Sequence, residues 1–527
     1  MKEKEEELNI DFSGLFSFFK KKKKEQNKVE NNLQEKEEEK TSSKNEEISF
    51  DIKKVKGIFS KIKKGVLETP KNEDPDSIDF SKIKKFVIKN HTLLILLLLI
   101  TIQLVPNAGF WPWGGIWMRM QTQNLPQIDN WAENSVNNFY KTQISNQINK
   151  QYPNLPANNK NKLIEKEFNT FLKETPSQIN SQIKNTAEQF RERFQYEKDG
   201  KKYTYMPDID PYTYLRFARN KIKTGKFEDT IKDGVYWDDH SLAPLGRDLN
   251  INFHHHFLVL VYSIFSIFLP KIPLMQSATY FPIIMLLLSL IPVFFIGKKL
   301  AGNTGGFFAA SMLILNAAGT GRTTWGHADT DAYNIFFPVL IVWLFIESLC
   351  AKTYKKKILF SFLTALSLGL FSSAWSGGWW YLFYFLMASI LINFIYIIFF
   401  YRKIIIKDFT QTFKIKEVKN IFFVVFFFFV FSGIFISLIH KPTTFLYSIL
   451  GPLKFTIIKS AAHVNLWPNV YTTVAELNPA SITSIINNMG GKFLFVICIL
   501  GILLTFTIKD SSGNRDIKYA ALLSIWF

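Results

Sequence analysis

Cysteine is almost absent, with two in 527 residues, Cys350 and Cys498. Both lie at or inside apolar runs, so a disulfide framework and a thiolate metal site are excluded. Negative charge is also scarce: 63 Lys and Arg against 44 Asp and Glu leave a formal net charge of +19. The long apolar runs carry almost no charge, and no internal repeat is visible. A basic balance beside 47% apolar residues and 52 Phe reads as a polytopic membrane protein with basic loops, not a nucleic-acid binder. A cleavable signal peptide is excluded as well. The first apolar run begins near residue 86, too far from the start, and reads as a retained anchor.

What is present divides sharply. Residues 1–85 are Lys/Glu-rich, with runs such as Lys20-Lys21-Lys22-Lys23-Lys24 and Glu35-Lys36-Glu37-Glu38-Glu39-Lys40. Little of this tract can be buried, so it is expected to be a disordered cytoplasmic tail. Apolar runs that cross, or nearly cross, a bilayer fall at about 86–105, 279–297, 306–318, 333–350, 357–374, 379–400, 420–439 and 492–508. With the tail inside, the positive-inside rule puts Lys298-Lys299, Lys355-Lys356-Lys357, Arg402-Lys403 and Lys509 on one side. Phe257–Leu269 is too short to span and reads as an interfacial helix. The expected divisions are the tail at 1–85, a first transmembrane helix at 86–105 and an external loop at 106–278. A transmembrane bundle at 279–439, a second external loop at 440–491 and further transmembrane helices at 492–527 complete it. A last apolar run from Tyr519 to Phe527 is too short to cross, so truncation is expected. Within the first loop, Ile179, Ile183, Ala187, Phe190 and Phe194 recur at helical spacing, and Asp199-Gly200 between Tyr196 and Tyr203 signals a hairpin.

Three acidic segments separated by more than a hundred residues fall on the outer face by this lysine-based topology. They are Asp208-Ile209-Asp210-Pro211, Asp329-Thr330-Asp331, and Glu476 in Thr473-Val474-Ala475-Glu476. Carboxylates at a membrane boundary suit a hard divalent cation, Mg²⁺ or Mn²⁺, which takes carboxylate and phosphate oxygens. Each segment also has a plain reading. Asp329 or Asp331 can cap the following helix, Asp208 and Asp210 flank a turn before Pro211, and Glu476 can be a loop acid. The case rests on the set.

Taken in order, Asp210-Pro211-Tyr212-x-Tyr214-Leu215-Arg216, Gly326-x-x-Asp329-Thr330-Asp331, Ala374-Trp375-Ser376-Gly377-Gly378-Trp379-Trp380 and Thr473-Val474-Ala475-Glu476 resemble the catalytic subunit of archaeal oligosaccharyltransferase, the AglB type. The resemblance covers roughly residues 86–527 and implies a membrane glycosyltransferase of the GT-C class: an all-α polytopic bundle with large external loops. It implies transfer of a glycan, with inversion, from a lipid-linked phosphate or diphosphate of the dolichyl type to Asn in Asn-x-Ser/Thr of proteins. It also implies roles. Asp210 matches an aspartate that binds metal and contacts the acceptor amide, Asp329 and Asp331 a metal pair, and Glu476 a loop glutamate serving both acceptor and metal. The 440–491 loop then matches the mobile loop that closes over acceptor peptide. Contacts to the donor phosphate are weighed for His254, His255 and His256, for Arg322 and His327, and for Trp375. For the histidines an interfacial polar patch is the competing reading, and for Trp375 an aromatic-belt anchor.

One departure stands out. The family carries a soluble C-terminal domain with a Trp-Trp-Asp-Tyr-Gly block, and no such block occurs here. The remainder is expected either as the missing part of a fragment or as a separate C-terminal polypeptide. Two other readings are another lipid-donor transferase of the same class, such as a protein O-mannosyltransferase, and a lipid or polysaccharide flippase. A flippase predicts ionisable residues inside the spans; here the acids gather at one face.

Overall fold

The computed structural model describes residues 91–101, 115–242, 244–375, 379–407, 409–449, 481–508 and 517–526. Glu476 lies outside the described residues, as do the Lys/Glu-rich tail and most of the second long loop. The described chain is a helical membrane bundle with a helical and partly stranded insertion between its first two apolar segments.

Among the described residues, five helices are long and apolar enough to cross a membrane: Leu274–Leu315, Thr330–Cys350, Tyr354–Ala374, Trp379–Phe400 and Lys416–Ile439. Ile482–Asn488 and Lys492–Thr505 make a sixth if the pair, bent by 89°, is one span. Such helices are apolar all round because lipid and neighbouring helices are equally apolar surroundings. Their shared core is aromatic. Phe345 and Phe428 pack with ring centroids 5.5 Å apart, and Phe337 and Phe371 5.4 Å apart. Small residues let backbones approach: a Cβ on Gly369 would sit 2.9 Å from the Cβ of Phe435.

The first of these helices is two. Ala301 (φ −140°, ψ 32°) and Gly302 (φ +65°, ψ −161°) leave helical geometry in the middle of Phe281–Leu315. Gly302 supplies a left-handed φ at no Cβ cost. The chain then doubles back: a Cβ on Gly305 would lie 2.6 Å from the Gly297 carbonyl oxygen, and one on Gly306 2.7 Å from that of Phe294. The apolar runs expected near 279–297 and 306–318 are therefore the two legs of one tight helical hairpin.

Contacts at the two ends of the bundle agree with the charge pattern. At one end Lys298 donates to Thr92 Oγ1 at 2.8 Å, tying the first apolar helix, His91–Thr101, to the hairpin turn. There too Lys299 pairs with Glu347 at 3.1 Å, and Asn420 donates to the Leu349 carbonyl at 3.0 Å. At the other end the Arg119 guanidinium, buried, donates to Ile314 O at 2.7 Å, Thr323 Oγ1 at 2.7 Å and Thr320 Oγ1 at 3.0 Å. The lysine-rich turns thus gather at one end and the 316–332 segment at the other.

The insertion is built from helices Gln127–Gln151, Ala157–Glu174 and Pro176–Arg193, which bury Ile128, Ala132 and Ala187 against Ile183 and Phe190. The periodic apolar set expected there is the inward face of the third helix, with Ile179 buried and Phe194 at its exposed end. Strands β1 (Gln195–Lys198) and β2 (Lys201–Thr204) pair Tyr196 with Tyr203 around Asp199 (φ +53°) and Gly200 (φ +71°), the hairpin that Asp199-Gly200 signals. A second sheet, in the order β3 (Thr230–Lys232), β4 (Val235–Asp238) and β5 (Arg247–Asp248), follows the helix Asp210–Thr224. The apolar run expected over 257–269 is the helix Phe253–Phe268, starting earlier because Asn252 caps it and accepts from the His254 and His255 amides. Its 16 residues reach about 24 Å, short of a bilayer core.

Candidate functional site

Asp210 opens the helix Asp210–Thr224, with Pro211 in its first turn, where a carboxylate meets the positive end of the helix dipole. Asp329 caps the short helical turn Thr330–Ala332, its Oδ1 accepting from the Thr330 amide at 2.6 Å. The capping reading of Asp329 therefore holds. It does not compete with a second role, because one oxygen suffices for the cap.

The two acidic segments meet through a buried aromatic knot. Tyr214, one turn along from Asp210, stands by Thr330, and burial followed by the charges of Asp329 and Asp210 pushes its phenol up. Its ring packs edge-on against His254 at 4.7 Å. His254 is fully buried, with Nε2 3.0 Å from the Ala328 carbonyl and Nδ1 3.0 Å from the Tyr333 hydroxyl. A carbonyl only accepts, so Nε2 carries the proton and the Tyr333 hydroxyl donates to Nδ1. Gly326 (φ +92°) lies against Pro207, where a Cβ would come within 2.7 Å of Pro207 Cδ. The stretch before Asp208 and the stretch before Asp329 are thus in contact on one side and cross-braced on the other.

Electrostatics records the result. The Asp329 carboxyl is raised above the usual carboxylate range by burial and then by the charges of Asp331, Asp210 and Asp208, against the Thr330 hydrogen bond that lowers it. Burial pushes the His327 imidazole down, with Arg322 acting the same way and Asp208 and Asp331 opposing. Asp331 forms an ion pair with Arg322, whose side chain is 58% exposed. Four carboxylates therefore share one neighbourhood with one exposed guanidinium. Among the described residues, no three of these four bring ligand atoms within 4.8 Å of one another. The donor set, hard carboxylate oxygens with an excess of negative charge, fits Mg²⁺ or Mn²⁺.

A second acidic group lies beyond the helix of Asp210. Asp229, Asp238 and His240 do bring ligand atoms within 4.8 Å. Arg216 holds the space between them: Nη1 donates to Asp229 Oδ2 at 2.7 Å and Nη2 pairs with the buried Asp238. Asn220 adds a bond to Asp229 Oδ1 at 2.8 Å and His240 Nδ1 lies 3.1 Å from Oδ2. Burial pushes the Asp229 carboxyl up, but the hydrogen bonds from Arg216, His240 and Asn220 outweigh it and hold it down at about 2. With a guanidinium already in place, this group is an ion-pair network that fastens β3 and β4 to the helix of Asp210. Its traces in residue order are Trp237-Asp238-Asp239-His240 and the Arg216 of the first motif.

The remaining residues weighed for donor contact separate. His254 has both nitrogens committed inside the fold, so neither a donor contact nor an interfacial patch describes it. His255 is buried, its Nδ1 2.7 Å from Asn252 Oδ1 within the helix cap, and His256 packs edge-on to Phe227 at 4.7 Å. Trp375 stacks on Phe371 at 5.9 Å and belongs to the packed end of its helix. Arg322 and His327 stand beside Asp331 and Asp208.

The family model for oligosaccharyl transferase STT3, N-terminal, matches residues 183–527 of this chain, a stretch that contains both acidic motifs. The chain belongs to the STT3 family. Among curated relatives of this STT3 chain, the dolichyl-phosphooligosaccharide-protein glycotransferase of Methanococcus voltae is 30% identical over 369 residues, 65% of this chain and 40% of the relative. That of Methanocaldococcus jannaschii is 26% identical over 402 residues, 61% of this chain and 43% of the relative. The STT3 chain thus spans about two fifths of the length of the curated relatives it matches. Among solved structures, the Archaeoglobus fulgidus oligosaccharyltransferase AglB, in complex with an inhibitory peptide and a dolichol-phosphate, is 15% identical. It overlaps 60% of this chain and 39% of its own with a TM-score of 0.34, too loose an overlap to carry an argument.

Proposed function

We propose that this chain carries the membrane-embedded catalytic part of an oligosaccharyltransferase. It transfers a glycan from a dolichyl-type lipid phosphate or diphosphate to the side-chain amide of Asn in Asn-x-Ser/Thr. The observation that carries this reading is the meeting of Asp208 and Asp210 with Asp329 and Asp331, from segments over a hundred residues apart, in an STT3-family chain. The names of the curated relatives support the same chemistry. The bundle end that holds the acids is external and the lysine-rich end, with the N-terminus, cytoplasmic. The loops at 106–278 and 440–491 are then external, and the second is the part assigned to the acceptor peptide.

The chemical problem is the acceptor. An amide nitrogen is a poor nucleophile because its lone pair is delocalised, with a rotation barrier of about 18–20 kcal/mol. Asp210 and Glu476 accept hydrogen bonds from the amide NH₂, hold it twisted out of conjugation and receive its proton as the nitrogen attacks the anomeric carbon. Asp329 and Asp331, with Asp210 and Glu476, would hold a Mg²⁺ or Mn²⁺ ion, which would supply positive charge where the leaving phosphate gains negative charge. Arg322, exposed and leaning on Asp331, turns to the phosphate when the donor arrives, and His327 stands next to it. Direct displacement inverts the anomeric centre. The test is transfer from a lipid-linked donor to a peptide containing an Asn-x-Thr sequence, using membranes holding the chain. Transfer should disappear in Asp210→Asn and on chelation; undiminished transfer in either condition would sink the reading.

A further inference from the structure

A separate polar cleft opens where the first long insertion meets the acidic segment. Its volume is about 440 Å³, within the range of roughly 300–1,000 Å³ typical of small-ligand sites. Its walls carry Gln123, Asn124, Gln195, Gln276, Tyr203 and Trp325. Two groups on those walls are buried and find no hydrogen-bond partner among the described residues, the Trp325 indole N–H and the Gln276 side-chain carbonyl oxygen. One is a donor and the other an acceptor, and a buried polar group left unmatched costs about 1–3 kcal/mol. The cations at the rim are already answered: Arg191 pairs with Asp129 at 2.6 Å and Lys202 with Glu192 at 3.5 Å.

From this lining we infer that the cleft binds a neutral sugar, one of the residues of the transferred glycan beyond the one being attached. The inference rests on the glycan-transfer reading above. Side-chain amides offer a donor and an acceptor each, which is what sugar hydroxyls require. A phosphate would call for unpaired cations, and both rim cations are paired. An apolar peptide side chain would call for an apolar pocket. Position supports the assignment. Thr204 and Trp325 line the cleft, and four residues on from each lie Asp208 and Asp329. Four residues span at most about 14 Å, so a sugar in the cleft sits within one short glycan of the carboxylates. Hydrogen bonds tie the walls of the cleft to one another: Thr122 Oγ1 donates to the Trp325 carbonyl at 3.2 Å and Thr204 Oγ1 to the Gln123 carbonyl at 2.9 Å.

The experiment is saturation-transfer NMR on the detergent-solubilised chain. The probes are neutral hexose and N-acetylhexosamine trisaccharides, inorganic phosphate and an Asn-Val-Thr peptide, each offered alone. Expected is binding of a trisaccharide whose apparent Kd rises about fivefold in Gln195→Leu and in Gln276→Leu, the loss of one hydrogen-bonding group each. Circular dichroism checks that both variants keep their helices. Sugar binding that both variants leave unchanged, absence of sugar binding, or phosphate or peptide binding that they abolish in its place would overturn it. Because the carboxylate variants are read by transfer and the cleft variants by binding, failure of one reading is distinguishable from failure of the other.

Discussion

Two acidic clusters lie along one helix, Asp210–Thr224, and they differ in how their charge is answered. Beyond its C-terminal half, Asp229 and Asp238 close around Arg216, with Asn220 and His240 completing the shell, and the Asp229 carboxyl is held at about 2. At its N-terminus, Asp208, Asp210, Asp329 and Asp331 share one exposed guanidinium, and the Asp329 carboxyl is pushed above its usual range. The first cluster is the tighter, and on distance alone it would be taken for the metal centre. Its countercharge is built in. The second keeps an excess of negative charge half-buried at a membrane boundary, which is costly unless something arrives to neutralise it. Proximity of ligand atoms is therefore a poorer guide to a site than the charge left unanswered.

The contrast breaks most visibly in activity. Asp329→Asn should lower transfer by about 10²–10³-fold, the scale of losing one preorganised charged contact to a transition state. Asp238→Asn should act only through stability. Comparable losses of transfer from the two, at equal folded fraction, would erase the distinction.

Stability should sort the other way. Asp238→Ala leaves Arg216 facing a broken partner set; with Arg216 partly exposed, the cost is about 2 kcal/mol, between surface and buried pairs. Amide exchange across β3 and β4 reads it. Asp329→Asn relieves repulsion and should leave the melting temperature level or raise it.

Acid should also divide the clusters. Asp229, lowered in the fold from 3.8 to about 2, contributes stability that is present above pH 3.8 and is lost as pH falls toward 2. Asp329 has the opposite sign. Its raised carboxyl costs stability once pH passes its folded value, and that cost vanishes on acidification. Amide exchange should show β3 and β4 loosening below pH 4 while the Asp329 turn does not; loosening in the reverse order would refute the assignment.

The smallest expected effect sharpens the site's support. His254→Gln should shift Asp329 by loosening the Ala328 carbonyl and the Tyr333 hydroxyl, lowering transfer by about tenfold with helix content unchanged, on the scale of one to two hydrogen bonds. An effect as large as that of Asp329→Asn would point instead to direct contact with substrate.

Much of this was legible in residue order, for identifiable reasons. Spans are set by long charge-free runs, and the lysine clusters at their ends order them; the Thr92–Lys298 and Lys299–Glu347 contacts follow that order. The hairpin at Asp199-Gly200 is local turn chemistry and could be read directly. The doubled-back Phe281–Leu315 helix left a weaker trace, because Gly297 and Gly305 act through contact with each other's backbones and Gly306 through contact with that of Phe294. The acidic pairs could be named, but not what holds them. The roles of Tyr214, His254 and Tyr333 depend on ring contacts and hydrogen bonds between segments 40 to 79 residues apart, and a run of three histidines looks the same whether buried or wet. The members of the Arg216 network are visible in sequence but their pairing is not, for the same reason: nothing in residue order pairs that arginine with Asp238 rather than with solvent.

The most direct test is Mn²⁺ binding to the purified chain, followed by electron paramagnetic resonance as free ion disappears. Binding should be lost in Asp329→Asn and kept in Asp238→Asn. Loss in Asp238→Asn with binding intact in Asp329→Asn would contradict the account, placing the metal in the cluster that Arg216 fills.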